Sequence, residues 1–369
     1  MVQQRIVVKI GSSSLTGPQG GLNHEAVQFF AAEIAALQQG GYSVLLVTSG
    51  AVAAGFREIG YTIRPRLLHE KQAAASVGQA LLMRDYQEAF GKHGIVSAQI
   101  LLTRSDFNHR KRAANASMTI EELLKQGVIP IINENDTVSV DELKFGDNDT
   151  LSALVANLAK ATNLLILTDM DGLYTADPRK DPSAVRYEQI DEITDEIYAM
   201  AGGAGSAVGT GGMRSKVDAA KIATRGGVPV FVGQVREVGD LLNAANGTGK
   251  GTYFTTHTSS LPMKKQWLGF LSIPLGTLIV DQGAEKAMLH QGRSLLPVGI
   301  RQVEGQFHIG DVVEVQNLQK EVLGRGIVNY DHDQLQQIAG LPSTEIAAKL
   351  GIEDIQHLEA IHRDEWITL

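Results

Sequence analysis

The residues best suited to chemistry in this chain fall in two acid–amide clusters, Asn133-Glu134-Asn135-Asp136 and Gly146-Asp147-Asn148-Asp149, within seventeen positions of each other. Together such carboxylates and amides can receive an ammonium group, orient a carboxylate and hold a metal. Asx turns and a helix N-cap would also account for this many Asn and Asp residues. Three glycine clusters elsewhere turn the reading toward a site. Lys9 stands just before Gly11-Ser12-Ser13-Ser14, where glycine lets backbone N–H groups approach an anion and lysine adds a point charge. Thr48-Ser49-Gly50-Ala51 is a second small polar ending. Gly209-Thr210-Gly211-Gly212-Met213-Arg214-Ser215-Lys216 runs straight into a helical pattern, which places N–H groups at the positive end of a helix dipole. A lysine in that first turn is unfavourable for the helix itself, so a bound phosphate explains Lys216 better than a glycine-capped surface loop does.

Familiar nucleotide motifs are absent. Gly91-Lys92 precedes His93 and Gly249-Lys250 precedes Gly251, so there is no G-x-x-x-x-G-K-[ST], and no G-x-G-x-x-G follows the first strand. Thr168-Asp169 closes an apolar run and leads into Asp171-Gly172-Leu173-Tyr174-Thr175-Ala176-Asp177-Pro178. A hydroxyl and a carboxylate at a strand end can bind a base or ribose. A turn rich in Asp-Gly and Asp-Pro is an equally good account of the same residues.

The elements that must position these groups alternate through the first 250 residues. Apolar, β-branched runs at 6–10, 43–48, 95–102, 128–132, 164–168 and 228–232 read as strands; 25–39, 67–90, 150–160 and 213–225 read as helices. Strands alternating with helices predict one α/β unit, a three-layer α/β/α sandwich on a mainly parallel sheet of roughly eight strands. The clusters then sit at a strand's C-terminal end and in the loop beyond it, where open α/β sheets place their ligands. A polar connector with a proline, 255–262, marks a boundary. From Gly276 short alternating runs, such as 276–281 and 311–316, predict a small β-rich domain. The expected division is 1–258, a linker at 259–275, and 276–369.

Composition excludes several classes. With 43% hydrophobic and 20% charged residues the chain is an ordinary globular one. No apolar run reaches the ~18 residues that span a bilayer. The absence of cysteine removes disulfides, thiolate zinc sites and cysteine nucleophiles. The ten histidines form no metal-ligand pair, and His24 and His69 read as surface or packing residues. The net charge of −8 is uneven, with −1 over residues 1–275 and −7 over 276–369. An acidic C-terminal quarter disfavours nucleic-acid binding, which needs local positive charge. The basic cluster His109-Arg110-Lys111-Arg112, after Asp106 in the first turns of a helix, reads as a solvated face and, second, as a subunit contact. No leader precedes the first strand, so a cytoplasmic location is expected.

Taken in order, these pieces resemble the amino-acid kinase family nearly end to end. The carriers are 8–12, 47–51, 132–136, 146–149, 167–169 with 172–178, and 209–213. Gly-Thr-Gly-Gly-Met and the strand-end lysine are family-wide. The paired Asn-Glu-Asn-Asp and Gly-Asp-Asn-Asp are similar to the members that act on glutamate. The C-terminal region looks like the PUA domain these often carry. Ser215 departs from the usual threonine but keeps the hydroxyl. No aldehyde dehydrogenase-like extension follows, so the fused bifunctional form is not expected.

The resemblance implies ATP-dependent phosphorylation of the glutamate side-chain carboxylate, the first step toward proline. It places Lys9, Thr168, Asp169 and Thr210, Gly211, Gly212, Met213, Arg214, Ser215 and Lys216 at ATP. It places Ser49, Asp136 and Asn148 at glutamate. On chemical grounds Asp149 would orient the catalytic Lys9 and Lys216, Asp147 would do so too or bind Mg²⁺, and Asp136 would pair with the ammonium of glutamate. Proline is expected as a competing feedback inhibitor, and a homo-oligomer (dimer or tetramer) is expected. The rivals are a same-fold kinase for carbamate, aspartate or an acylated glutamate, an RNA-binding protein, and a silent amino-acid sensor. The carboxylate at Asp136 argues against acylated acceptors, the acidic C-terminal quarter against RNA, and the two lysines against a sensor.

Overall fold

The computed structural model describes residues 4–17, 20–139, 148–201, 212–256, 265, 268–269, 272, 274–351 and 358–369. They form two compact units, Met1–Ser260 and Leu261–Leu369.

In the first unit β1 (Arg5–Ile10) leads through a short α1 (Ser12–Leu15) to α2 (His24–Gln39), β2 (Ser43–Val47), α3 (Ala51–Gly55) and α4 (Leu68–Gly91). Then come β3 (Ser97–Leu102), α5 (Arg104–Asn108), α6 (Arg110–Lys125) and β4 (Ile129–Glu134). After residue 147 follow α7 (Asn148–Leu158), β5 (Asn163–Leu167), β6 (Gln189–Ile190), α8 (Asp195–Ala201), α9 (Met213–Arg225), β7 (Val230–Gly233), α10 (Asp240–Ala245) and β8 (Gly251–Phe254). The sheet order is β3-β4-β2-β1-β5-β7-β8-β6, parallel throughout except for the β7–β8 pair. Unbroken apolar strands such as β2, all five residues of which are buried, are what a parallel sheet covered on both faces requires.

The pleat of β1 sorts its side chains. Ile6, Val8 and Ile10 join one core with Phe30, Ile34 and Leu37 of α2 and with Leu82, Tyr86 and Phe90 of α4. The last three follow the i, i+4, i+8 spacing of one helix face. Val7 and Lys9 must point to the opposite face, and α7 packs against β1 there. Helix α7 is buried at every residue but Thr150, the polar Asn148, Asp149, Ser152 and Asn157 included. Two glycines let α3 and α4 touch backbone to backbone. A Cβ on Gly55 would lie 2.0 Å from the Ala74 carbonyl oxygen, and one on Gly78 would lie 1.8 Å from that of Ala51. The turn entering α3 needs the left-handed region, with Gly50 at φ 107°.

The boundaries differ from the sequence expectation in instructive ways. Asn133 and Glu134 lie inside β4, and Asn148-Asp149 open α7 instead of lying in a loop. An acidic residue in a helix's first turn is favoured by the dipole, so Asp149 suits the helix start. Asp106 sits in α5, separate from the helix that begins at Arg110, and Arg112 reaches back to it at 3.4 Å. His24 pairs through Nδ1 with the buried Asp85.

The second unit carries a five-stranded sheet in the order β10-β9-β11-β12-β13, with β9 at Gly276–Val280, β10 at Ile300–Gly305, β11 at Val312–Gln316, β12 at Val322–Val328 and β13 at Ile361–Thr368. Only β9 and β11 pair in parallel among these described strands. Leu278, Val280, Val313, Val315, Val328, Ile361 and Trp366 fill its core. Among the described residues, the helices Gln282–Gln291, His332–Ile338 and Ser343–Leu350 accompany the strands. No described helix is long and apolar enough to cross a membrane.

Candidate active site

Register brings four strand ends into one row. Lys9 pairs with Val47 on one side and Ile166 on the other, and Val47 pairs with Ile132. Just beyond that row lie Gly11, Thr48-Ser49, Asn133-Glu134 and Thr168-Asp169. From β1 the chain runs outward to β2, and from β5 it runs the other way to β7, so β1 and β5 flank the switch point where such sheets bind ligands.

At the centre, one carboxylate holds two ammonium groups. Lys9 Nζ ion-pairs with Asp149 Oδ1, and Lys216 Nζ lies 3.1 Å from Asp149 Oδ2. Lys9 and Lys216 are 4% and 6% exposed and Asp149 is fully buried. Burial pushes the Asp149 carboxyl pKa up. The charges of Lys9 and Lys216, with hydrogen bonds from Lys9 and Ser215, outweigh that and hold it well below the usual carboxylate range. Ser215 Oγ is 2.8 Å from Asp149 Oδ2 and 2.8 Å from the Gly212 carbonyl oxygen; its one proton serves one acceptor at a time. Two ammoniums against one carboxylate leave this buried trio net positive, a field suited to an anion. Gly212 caps α9 without a side-chain hydrogen bond, so the positive end of a thirteen-residue helix adds to that field.

Beside the ionic trio lies a neutral amide network. Asn148 Nδ2 reaches the Thr48 carbonyl oxygen, Ser49 Oγ at 3.1 Å and Asn133 Oδ1 at 2.7 Å. Asn133 Oδ1 also accepts from the Glu134 backbone N–H at 2.9 Å, and Asn133 Nδ2 donates to Gln79 Oε1 at 2.8 Å. Glu134 accepts from Ser139 Oγ at 2.7 Å. Behind Ser49, the Thr48 hydroxyl meets the buried Tyr86 hydroxyl at 2.9 Å, and burial pushes the Tyr86 pKa up, so it stays neutral.

The expected site residues divide as follows. Lys9, Asp149, Ser215 and Lys216 come together, as do Ser49 and Asn148. Asp136 is half-buried in the turn two residues beyond β4. Thr168 and Asp169 follow β5 in the next position of the row, with Thr168 Oγ1 donating to Asp169 Oδ1 at 3.1 Å. Gly212 and Met213 begin α9, but Arg214 turns away from the trio, its guanidinium lying 4.1 Å from the centre of the Tyr198 ring. Asp147, Thr210 and Gly211 lie outside the described residues. Asn133 and Gln79 were given no role by the sequence reading; Asn133 stood inside a quoted motif, and Gln79 carried no signal.

No described residues form a group of three or more His, Asp or Glu able to hold a metal ion, and the Asp149 oxygens are engaged by Lys9, Lys216 and Ser215.

Comparison with known proteins gives the same architecture. Residues 4–234 match the amino acid kinase family and residues 276–350 the PUA domain. Over its whole length the chain is 48% identical to the glutamate 5-kinase of Bacillus cereus, covering all of that protein. It is 50% identical to that of Geobacillus kaustophilus, covering 98% of it, and 47% identical to that of Bacillus anthracis, covering all of it. With matches of this extent across both units, the chain belongs to the amino acid kinase family, among its glutamate 5-kinases with a C-terminal PUA domain.

Proposed function

We propose that the chain transfers the terminal phosphoryl group of ATP to the side-chain carboxylate of L-glutamate, giving L-glutamyl 5-phosphate and ADP, the first step of proline biosynthesis. The observation that carries this reading is the buried Lys9–Asp149–Lys216 trio at the switch point of the sheet. A carboxylate oxygen is already a nucleophile and needs no general base. It forms the new O–P bond as the bond between the terminal phosphorus and the bridging oxygen breaks, and the electron pair leaves with ADP. The obstacle is repulsion between an anionic acceptor and a polyanionic donor, so positioning and positive charge dominate such transfers.

In this reading Lys9 and Lys216 are catalytic, stabilising the charge on the transferring group, and Asp149 positions both. Thr168, Asp169 and the segment 210–216 bind ATP, with the N–H groups at the start of α9 facing its phosphates. Arg214 belongs to that segment, with its guanidinium over the Tyr198 ring. Ser49, Asn148 and Asp136 bind glutamate, Asp136 receiving the ammonium. Mg²⁺ would be held by the triphosphate itself, offsetting its charge, with Asp147 the candidate protein contact. Proline as a feedback inhibitor sharing the glutamate site, a homo-oligomeric assembly and a cytoplasmic location complete the reading. The test is ADP release with glutamate, aspartate and N-acetylglutamate side by side. Turnover is expected with glutamate alone; equal turnover with N-acetylglutamate would rule out recognition of the ammonium.

A further inference from the structure

We propose that a polar stripe on α4, Gln72, Ser76 and Gln79, positions the acceptor-binding segment 133–139, and that Gln79 is its specificity-determining member. The proposal rests on the glutamate reading above. The three residues are spaced i, i+4, i+7 and so share one helix face. Each meets the segment at a different point. Gln72 Nε2 donates to the Ser139 carbonyl oxygen at 3.0 Å, the Ser76 and Thr137 hydroxyls are 3.2 Å apart, and Gln79 Oε1 accepts from Asn133 Nδ2 at 2.8 Å. Helix α4 is itself rigidly held. Its apolar face carries the fully buried Leu82, Tyr86 and Phe90, and Gly78 abuts α3. It therefore acts as a ruler along the turn that carries Asp136.

Hydrogen-bond polarity explains why Gln79 matters most. A backbone N–H can only donate and a backbone carbonyl can only accept. The Glu134 N–H therefore fixes Asn133 Oδ1 on its side, and the Thr48 carbonyl fixes Asn148 Nδ2. Neither amide can flip without placing like groups together. Asn133 Nδ2 must then find an acceptor on α4, which Gln79 Oε1 supplies, while Gln79 Nε2 donates onward to Gln99 Oε1 at 3.0 Å. Asn148 Oδ1 then stays on the acceptor side of the network. An acceptor of fixed polarity suits an ammonium and disfavours a substrate that has none. Asn133 is only 2% exposed, so removing Gln79 Oε1 strands a buried NH₂ and loosens Asn148 with it.

Steady-state kinetics of Gln79→Met and Gln79→Glu test this. Methionine keeps the length and removes the acceptor; glutamate keeps the acceptor. Gln79→Met is expected to raise the glutamate KM about 10-fold, the scale of one stranded buried donor, with kcat and the ATP KM within about twofold. Gln79→Glu is expected to stay within about threefold of the wild type in all three. Should Gln79→Met fail to fold, Ser76→Ala at its exposed position replaces it, with an expected two- to threefold rise in glutamate KM alone, roughly the effect of one exposed hydrogen bond. An unchanged glutamate KM, a parallel rise in both KM values, or equal damage from Gln79→Met and Gln79→Glu would overturn the proposal. A wild type that releases no ADP with glutamate would overturn the underlying reading instead.

Discussion

Lys9, Asp149 and Lys216 meet close to Ser49, Asn133 and Asn148, where strand ends face the first turns of α7 and α9, but the two groups are built from opposite materials. The first holds charge, two ammoniums on one buried carboxylate. The second is built around amides and hydroxyls passing hydrogen bonds to one another. Adjacent residues at the start of α7 supply both, Asn148 to one and Asp149 to the other, because successive helical side chains diverge by about 100°. Transferring a phosphoryl group demands a fixed positive field, whereas recognising a small zwitterion demands donors and acceptors of defined polarity. Separate materials let each be altered without the other, and that is how the comparison can be broken.

The largest effect is expected at the charged end. Lys9→Ala or Lys216→Ala should lower kcat at least ~100-fold, the scale of a lost electrostatic contact in phosphoryl or acyl transfer, while glutamate KM changes little. Near-normal turnover in both would remove the ionic trio from catalysis. Asp149→Asn should lower stability, since it removes the buried carboxylate that pairs with both Lys9 and Lys216, and should lower kcat as well. The sign of its pH dependence follows from the depressed carboxyl pKa. A folded-state pKa below the unfolded one gives stability that is complete at neutral pH and is lost as pH falls below about 4 toward the folded value. Thermal unfolding of wild type and Asp149→Asn between pH 7 and 3 reads this directly. The wild type should lose stability more steeply below about pH 4, and parallel curves would contradict the assignment.

The amide end should respond through binding. Asp136→Asn is expected to raise glutamate KM by about 10-fold or more, one charge-assisted contact, with ATP KM unchanged. An equal rise for both substrates would move Asp136 to a metal or structural role. Proline inhibition, if it shares these groups, should fade as glutamate rises; inhibition indifferent to glutamate would separate the two sites.

Much of the charged end was legible in the sequence, and the reason is local. A strand-end lysine before glycine, and a lysine in the first turn of a helix behind a glycine run, are unfavourable or wasteful unless an anion comes, and each reads from a few consecutive residues. The core strands read equally well from β-branched runs. The amide end was less legible because its partners come from distant segments. Gln79 and Ser76 look like the solvated side of α4, and nothing in the local pattern says that a β4 residue faces them. The direction of Arg214 was not legible either. It stands between Gly212 and Lys216, but helical rotation carries it over Tyr198 and away from Asp149. The helices of the second unit, seven to ten residues long, are too short to show a period, although Asp281 and Asp331 cap two of them as helix-start residues should.

The smallest effect is expected from removing the second unit. The described residues that form the ionic trio and the amide network all belong to the first unit, which is compact by itself, with its own sheet and core. A chain ending after Ser260 should therefore fold and phosphorylate glutamate with both KM values within about threefold of the full chain, a difference under ~1 kcal/mol. Its oligomeric state and its response to proline are the properties free to change. The −7 balance of residues 276–369 predicts that the full chain binds RNA no more tightly than the truncated one, because phosphate contacts need Lys and Arg. Two measurements decide the matter, glutamate-dependent ADP release by the truncated chain and salt-dependent tRNA binding by both chains. A well-folded truncation without activity would show that the second unit helps to build the site. Selective loss of glutamate affinity would place that contribution at the amide end, and selective loss of kcat would place it at the charged end.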